Sequence, residues 1–254
     1  VSTAGPTAGA VRGRRVLVTR RWPELMAALA AEGAIAYEVP LIEVRPPSDP
    51  GPLDEALRGL GRHQWLVFTS ANAVEAVAAR MTALGVTLEA GIRLASVGPA
   101  TTEAIDRAWP GTEVVIAPAT DFRGAGLVTA FASEPLDGKR ILLPVSDRAA
   151  ETVERGLSGR GACVDRVIAY RTVATSGEGL AQRLRAGVDV AVFASPSAVE
   201  AFVGAAGAPA RAVPAAVIGP TTAEAARAAG LTVLAVAQPS TVEGLLAALA
   251  SAWR

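Results

Sequence analysis

The chain holds 254 residues, with 24 Lys plus Arg against 24 Asp plus Glu; the formal net charge of zero argues against a global nucleic-acid footprint or a polybasic membrane surface. Apolar residues make up 51% and charged residues 19%, enough to bury two ordinary cores and to exclude wholesale disorder. One cysteine, Cys163, and one histidine, His63, exclude an intrachain disulfide and a multi-cysteine or histidine-rich metal centre, and no run of about 18 apolar residues marks a membrane span.

Residues 1–12 carry no apolar stretch ahead of their arginines; they read as a flexible leader rather than a signal peptide, and the cytoplasm is the expected location. The β-branched run 15–19 predicts a strand, and 23–31 a helix with Pro23 in its first turn and Gly33 just beyond its end. Residues 34–44 are extended, with Pro40 marking a bend or an edge position. Strands at 64–69, 93–97 and 113–116 then alternate with helices at 71–84, which Gly85 ends, at 99–108, and around 127–131. His63 falls in the loop-like stretch 61–64 between them. In the second half the strands are 140–144, 163–173, 189–194, 215–218 and 232–235, and the helices 150–157, 197–203, 221–229 and 242–250. Cys163, just ahead of an apolar run, is expected to be a small buried side chain.

The two halves repeat one another. Gly13-Arg-Arg-Val-Leu-Val aligns with Gly138-Lys-Arg-Ile-Leu-Leu at an offset of 125 residues, and Val67-Phe-Thr-Ser-Ala-Asn-Ala-Val-Glu-Ala aligns with Val192-Phe-Ala-Ser-Pro-Ser-Ala-Val-Glu-Ala at the same offset. Val97-Gly-Pro-Ala-Thr-Thr and Ile218-Gly-Pro-Thr-Thr-Ala follow at 121, as do Pro118-Ala-Thr and Pro239-Ser-Thr. Common order at nearly constant offset marks an internal duplication. Strands alternating with short helices imply parallel sheets covered on both faces. The fold class is therefore α/β, with two flavodoxin-like parallel-sheet lobes in place of a single barrel. A repeat need not coincide with a folded domain, since a first strand-helix pair can be exchanged between halves.

Four motifs sit where a strand ends and a helix begins. Ser70 or Asn72 can cap the helix after the first, and Ser195 or Ser197 the helix after its counterpart. Gly98-Pro99-Ala100-Thr101-Thr102 and Gly219-Pro220-Thr221-Thr222 form the other two. Capping alone explains such residues. The same places also suit an anionic ligand, because ligands of open α/β sheets bind beyond the strand C-termini, where helix N-termini offer free N–H groups. Arg20, Arg21, Arg123, Arg148 and Arg171, near predicted loops or strand ends, are surface charge or together a carboxylate-accepting rim. Tyr170, one of two tyrosines, either packs near the end of an extended run or presents a phenol to a ligand. No phosphate loop, dinucleotide fingerprint or Gly-x-Ser-x-Gly elbow is present, so no nucleotide cofactor and no hydrolase triad are expected.

In order and spacing, Val16-Leu-Val-Thr-Arg20, Val39-Pro-Leu-Ile-Glu-Val44, Val67-Phe-Thr-Ser-Ala-Asn-Ala-Val-Glu75, Val97-Gly-Pro-Ala-Thr101, Ala169-Tyr-Arg-Thr172, Phe193-Ala-Ser-Pro-Ser-Ala198 and Ile218-Gly-Pro-Thr-Thr222 resemble the uroporphyrinogen-III synthase family over roughly residues 14–250. The resemblance implies two lobes joined by a two-stranded β linker: 1–41 with 172–254 as the first, 45–168 as the second, and crossings at 42–44 and 169–171. It implies a lyase that cyclises the linear tetrapyrrole hydroxymethylbilane to uroporphyrinogen III with inversion of ring D and loss of water. No cofactor or metal is implied, and a monomer with no nucleic-acid or membrane partner is expected. Tyr170 becomes the candidate to assist departure of the hydroxyl. Thr101, Thr221 and Thr222 would hold substrate or water; Ser70, Ser195 and Ser197 would meet acetate or propionate groups; Thr19, Arg20, Ala71, Asn72 and Pro196 complete the substrate-binding set. The competing reading is a two-lobed anion-binding or tetrapyrrole-sensing regulatory module without turnover.

Overall fold

A computed structural model describes residues 9–89 and 91–253. In chain order the elements are β1 (Arg15–Val18), α1 (Pro23–Ala31), β2 (Ile35–Glu38), β3 (Ile42–Arg45), α2 (Gly51–Arg58), β4 (Trp65–Phe68), α3 (Ala71–Leu84), β5 (Arg93–Ser96), α4 (Pro99–Ala108), β6 (Val114–Ile116) and α5 (Gly124–Ala130). They continue with β7 (Arg140–Ser146), α6 (Thr152–Ser158), β8 (Cys163–Ala174), α7 (Leu180–Ala186), β9 (Val190–Phe193), α8 (Pro196–Ala206), β10 (Ala215–Val217), α9 (Pro220–Ala228), β11 (Val233–Val236) and α10 (Val242–Ala252). Short 3-10 turns lie at Leu60–Arg62 and Ala208–Ala212.

The chain divides into two compact units. One combines the chain up to Glu43 with Val173 onward; the other is Val44–Thr172. The first unit's sheet runs β11-β10-β9-β1-β2 with every neighbouring pair parallel. The second runs β3-β8-β7-β4-β5-β6, and its pairs from β8 to β6 are parallel. In chain order the first sheet is the flavodoxin-like 2-1-3-4-5; the second, setting aside edge strand β3, is 5-4-1-2-3, which has the same spatial layout when β7 and β8 are counted first. Against the sequence repeat, each first strand-helix-strand has changed partner: β1-α1-β2 joins β9–β11, and β7-α6-β8 joins β4–β6.

Period-two alternation explains why the central strands read as unbroken apolar runs. In the first unit Val16, Val18, Val190 and Val192 face one layer with Leu25 and Leu29 of α1 and Leu245 and Leu249 of α10. Leu17, Ala191 and Phe193 face the opposite layer with Val199 and Phe202 of α8 and Ala223 of α9. In the second unit Leu66, Phe68, Leu94 and Leu142 meet α2, α3 and α4, while Trp65, Val67, Ile141 and Leu143 meet α5 and α6. A strand enclosed on both faces has no polar side to display.

Positions 125 residues apart make matching contacts. The Arg15 amide donates to Asp189 Oδ2 at 2.7 Å, and the Arg140 amide to Gln64 Oε1 at 2.9 Å, so in each unit the side chain ahead of the central strand ties down its neighbour. Gly126 and Gly244 pack helices α5 and α10 onto the preceding loop. A Cβ there would stand 1.9 Å from Asp121 O and 2.0 Å from Pro239 O.

Two expectations change, and a third residue gains a partner. Residues 1–8 of the supposed leader lie outside the described residues, but 9–12 are not free: Val11 is 1% exposed and packs in the core layer with Val16 and Leu249, and Gly13 N donates to Gly33 O. Cys163 is exposed, not buried. It is the first residue of β8, and alternation turns Ala162 inward instead. His63 follows the Leu60–Arg62 turn and is buried, with Nε2 2.8 Å from Asp165 Oδ2. Helices α2 and α7 had no counterpart in the sequence reading. The Pro- and Asp-rich approach to α2 hides its start, although Leu53, Ala56 and Leu57 bury one face.

Candidate active site

In the second unit the strand order reverses between β7 and β4, the place where open α/β sheets bind ligands. β4 is buried throughout and delivers its C-terminal end to Ser70, whose extended backbone (φ −163°, ψ 153°) makes it the N-cap of α3. Ser70 Oγ accepts from Ala73 N at 3.1 Å and lies 3.1 Å from the Tyr170 hydroxyl. These two candidates are 100 residues apart in sequence. Tyr170 is 7% exposed, its ring in the layer that includes Phe68, Ala73 and Leu142. Its backbone is clamped from the end of β7: Asp147 N donates to Tyr170 O at 3.1 Å, and Asp147 Oδ1 accepts from Thr172 N at 3.2 Å. Ala71 and Asn72, the next two residues, are half-buried in the first turn of α3. Asn72 makes no side-chain hydrogen bond among the described residues.

The neighbouring edge of the same unit belongs to β5 and α4. Gly98 is extended (φ 166°), and it is glycine because a Cβ would crowd the Phe122 ring at 3.0 Å. Ser96 Oγ and Thr102 Oγ1 lie 2.6 Å apart, and Thr102 also donates to Gly98 O. α4 opens with Pro99 and no side-chain cap, which leaves its first-turn amides without a side-chain partner. Thr101 is 4% exposed on the inner face of α4, and its hydroxyl makes no hydrogen bond to a described residue. Nearby, Arg123 Nε donates to Asp121 Oδ1 at 2.7 Å, and that hydrogen bond holds the Asp121 carboxyl below its ordinary value against the opposing effect of burial.

The first unit builds the same edges from different side chains. Ser195 caps α8 by accepting from Ala198 N at 3.3 Å, with Pro196 and Ser197 beginning the helix. Ser197 is half-buried and, like Asn72, spends no side-chain hydrogen bond on the described residues. α9 opens on Gly219 and Pro220 without a side-chain cap; Thr221 is exposed and Thr222 is 4% exposed. Thr19 is already spent. It is fully enclosed, its hydroxyl donates to Val192 O at 2.7 Å, and its carbonyl accepts from Leu41 N, so its side chain joins β1 to β9 and its one donor is committed there. Arg20 stands 5.7 Å over the Trp22 ring, and its Nε donates to Arg21 O.

Two arginines of the expected rim have partners within the second unit. Arg123 is paired with Asp121, and Arg171 Nε donates to Pro46 O. Asp147, Ser96 and Phe122 shape the second unit's edge and were not singled out in the sequence. The signal for Asp147 was its place just past a predicted strand end. Among the described residues no group of three or more His, Cys, Asp or Glu is placed to hold a metal, and no helix is long and apolar enough to cross a membrane.

The family model described as "Uroporphyrinogen-III synthase HemD" matches residues 23–247. A uroporphyrinogen-III synthase from Synechococcus elongatus is 35% identical over 165 residues, which cover 63% of this chain and 61% of that protein. The match thus spans under two thirds of the relative's length. Two crystal structures share the fold. A mutant uroporphyrinogen III synthase from Thermus thermophilus aligns with a TM-score of 0.66 at 19% identity, over 94% of this chain and 98% of the other. The uroporphyrinogen-III synthetase of Helicobacter pylori aligns at 0.58 and 16% identity, over 95% and 100%. The family match over most of the chain, carried on this two-unit parallel-sheet fold, establishes that the chain belongs to the uroporphyrinogen-III synthase family.

Proposed function

We propose that the protein is a cofactor-independent cyclising lyase that converts hydroxymethylbilane to uroporphyrinogen III, inverting ring D and releasing water. The observation that carries the reading is the Tyr170 phenol, held 3.1 Å from the cap of α3 at the switch point of a sheet in a chain of this family. Hydroxide leaves carbon poorly unless protonated. As the substrate's hydroxymethyl C–O bond breaks, the Tyr170 O–H supplies the proton and water departs, leaving an azafulvene. The substituted α carbon of ring D attacks to give a spiro pyrrolenine. That intermediate fragments, the chain recloses in the inverted sense, and loss of the remaining α proton, which returns to the Tyr170 phenolate, restores the pyrrole. The protein's larger task is to hold a flexible substrate so that the substituted carbon attacks.

The carboxylates of such a substrate suit the first-turn amides of α3, α4, α8 and α9, together with Asn72, Ser197, Thr101, Thr221 and Thr222. Arg20 adds a cation at the β1 end. In this reading the functional lobes are 1–41 with 172–254, and 45–168, acting within a cytoplasmic monomer. The test is incubation with freshly generated hydroxymethylbilane and separation of isomers I and III, before and after exhaustive chelation and dialysis. Isomer III should dominate in both cases. A product mixture equal to the enzyme-free control, from folded protein, overturns the proposal; tight tetrapyrrole binding alongside that result identifies a regulatory module.

A further inference from the structure

Ser70 has a role beyond capping. Its Oγ accepts from Ala73 N and touches the Tyr170 oxygen, each at 3.1 Å. Two hydrogen arrangements fit. If Tyr170 donates, Ser70 Oγ becomes a double acceptor and the phenol proton is tied up. If Ser70 donates, a head-to-tail chain runs from Ala73 N–H through Ser70 O–H to the Tyr170 oxygen, each bond polarising the next. The second arrangement leaves the phenol proton free for a ligand. It also links the phenol oxygen to the N-terminus of a 14-residue helix, where developing negative charge is favoured.

The first unit supplies an internal comparison. Ser195 makes the same cap on α8, and among the described residues no phenol meets it. The serine cap therefore forms without a phenol in the first unit, and the tyrosine contact in the second unit is an addition that the cap hydrogen bond does not require. Tyr170 is fixed for it from two sides, by the packed layer around its ring and by Asp147 on its backbone.

We infer that Ser70 is a positioning residue for Tyr170: its hydroxyl donates to the phenol oxygen, orients the phenol proton outward, and steadies the charge left as that proton departs. The inference rests on the proposed synthase reading for the identity of the proton's acceptor, but the hydrogen bond itself can be read without substrate. The chain has two tyrosines, Tyr37 and Tyr170, so tyrosine labelled with 13C at Cζ gives two resonances, with Tyr37 as the internal reference.

The experiment compares Ser70→Ala, Ser70→Asp and Ser70→Thr by this resonance, by melting temperature, and by single-turnover closure at saturating substrate. Asp is a good cap and is favoured at a helix N-terminus, so Ser70→Asp keeps the melting temperature. A carboxylate cannot donate to the phenol, so its saturated rate should fall roughly tenfold to a hundredfold, the effect of one hydrogen bond to a developing charge. The Tyr170 resonance should move in Ser70→Ala and Ser70→Asp while Tyr37 stays, and Ser70→Thr should restore the signal and the rate lost in Ser70→Ala. A Tyr170 resonance unchanged in both variants overturns the inference, as does an undiminished saturated rate in Ser70→Asp. Failure of the wild-type chain to form isomer III would instead remove the synthase reading and leave the resonance test intact.

Discussion

Replacing Tyr170 separates its ring from its hydroxyl. Tyr170→Phe keeps the ring of a residue only 7% exposed and removes one neutral hydrogen bond with the Ser70 hydroxyl, whose oxygen retains Ala73 N as a partner. A net loss of about 0.5–1.5 kcal/mol is expected. At about 2–4 °C per kcal/mol for a chain of this size, the melting temperature should fall by about 1–6 °C. Tyr170→Ala also empties the ring's place beside Phe68 and Leu142; deleting a buried aromatic costs about 3–5 kcal/mol, or about 6–20 °C. Turnover should divide differently. If the phenol gives its proton to the departing hydroxyl, Tyr170→Phe should slow single-turnover closure at saturating substrate by about 10²-fold, the lower end for a general acid because bound water can substitute. Substrate affinity should change little. Rapid-quench separation of isomers I and III together with a melting curve reads all three quantities. A phenylalanine variant with full turnover, beside an alanine variant that loses turnover and melting temperature together, would refute the acid assignment and leave Tyr170 as packing.

Ser195→Ala removes a cap that no phenol shares and should lower stability by about 1 kcal/mol, a loss Ser195→Asn recovers; a melting curve checks both, and equal stability of all three proteins would dismiss the cap. Gly126→Ala and Gly244→Ala drive a Cβ to within 2.0 Å of backbone oxygen and should each cost at least about 3 kcal/mol, the upper end for overpacking, as urea titration would show. Acid should weaken the fold. The hydrogen bonds from Arg80 to Asp54, from Arg15 to Asp189 and from Arg93 to Glu134 hold these carboxyls below their ordinary values of 3.8, 3.8 and 4.5. Folded values lower than unfolded ones mean the contribution is complete above those ordinary values and is lost as pH falls through the folded ones. Stability measured from pH 7 down to 2 should therefore hold level and then drop below about pH 4.5, whereas a loss beginning near neutrality would point to a different group.

Much of this protein is legible in the linear chain because the determining forces are local. Apolar period, Pro23 and Pro99 at helix starts, Gly85 beyond α3, and Ser70 and Ser195 as caps each act within one or two turns, and the corresponding elements form where those signals stand. The repeat offset was likewise visible by inspection, as was the location of the Ser/Thr-rich edges at strand ends. Partnership was not. Which sheet receives β1-α1-β2 depends on contacts such as Arg15 with Asp189, 174 residues apart, which no local pattern encodes and only the family resemblance implied. Separation in sequence also hid the meeting of Ser70 with Tyr170, 100 residues apart, and the commitment of the Thr19 hydroxyl to Val192 O. It also hid the burial of His63 against Asp165. A hydroxyl's chemistry is set by whichever partner the folded chain brings within hydrogen-bond distance, and only the tertiary structure brings that partner there.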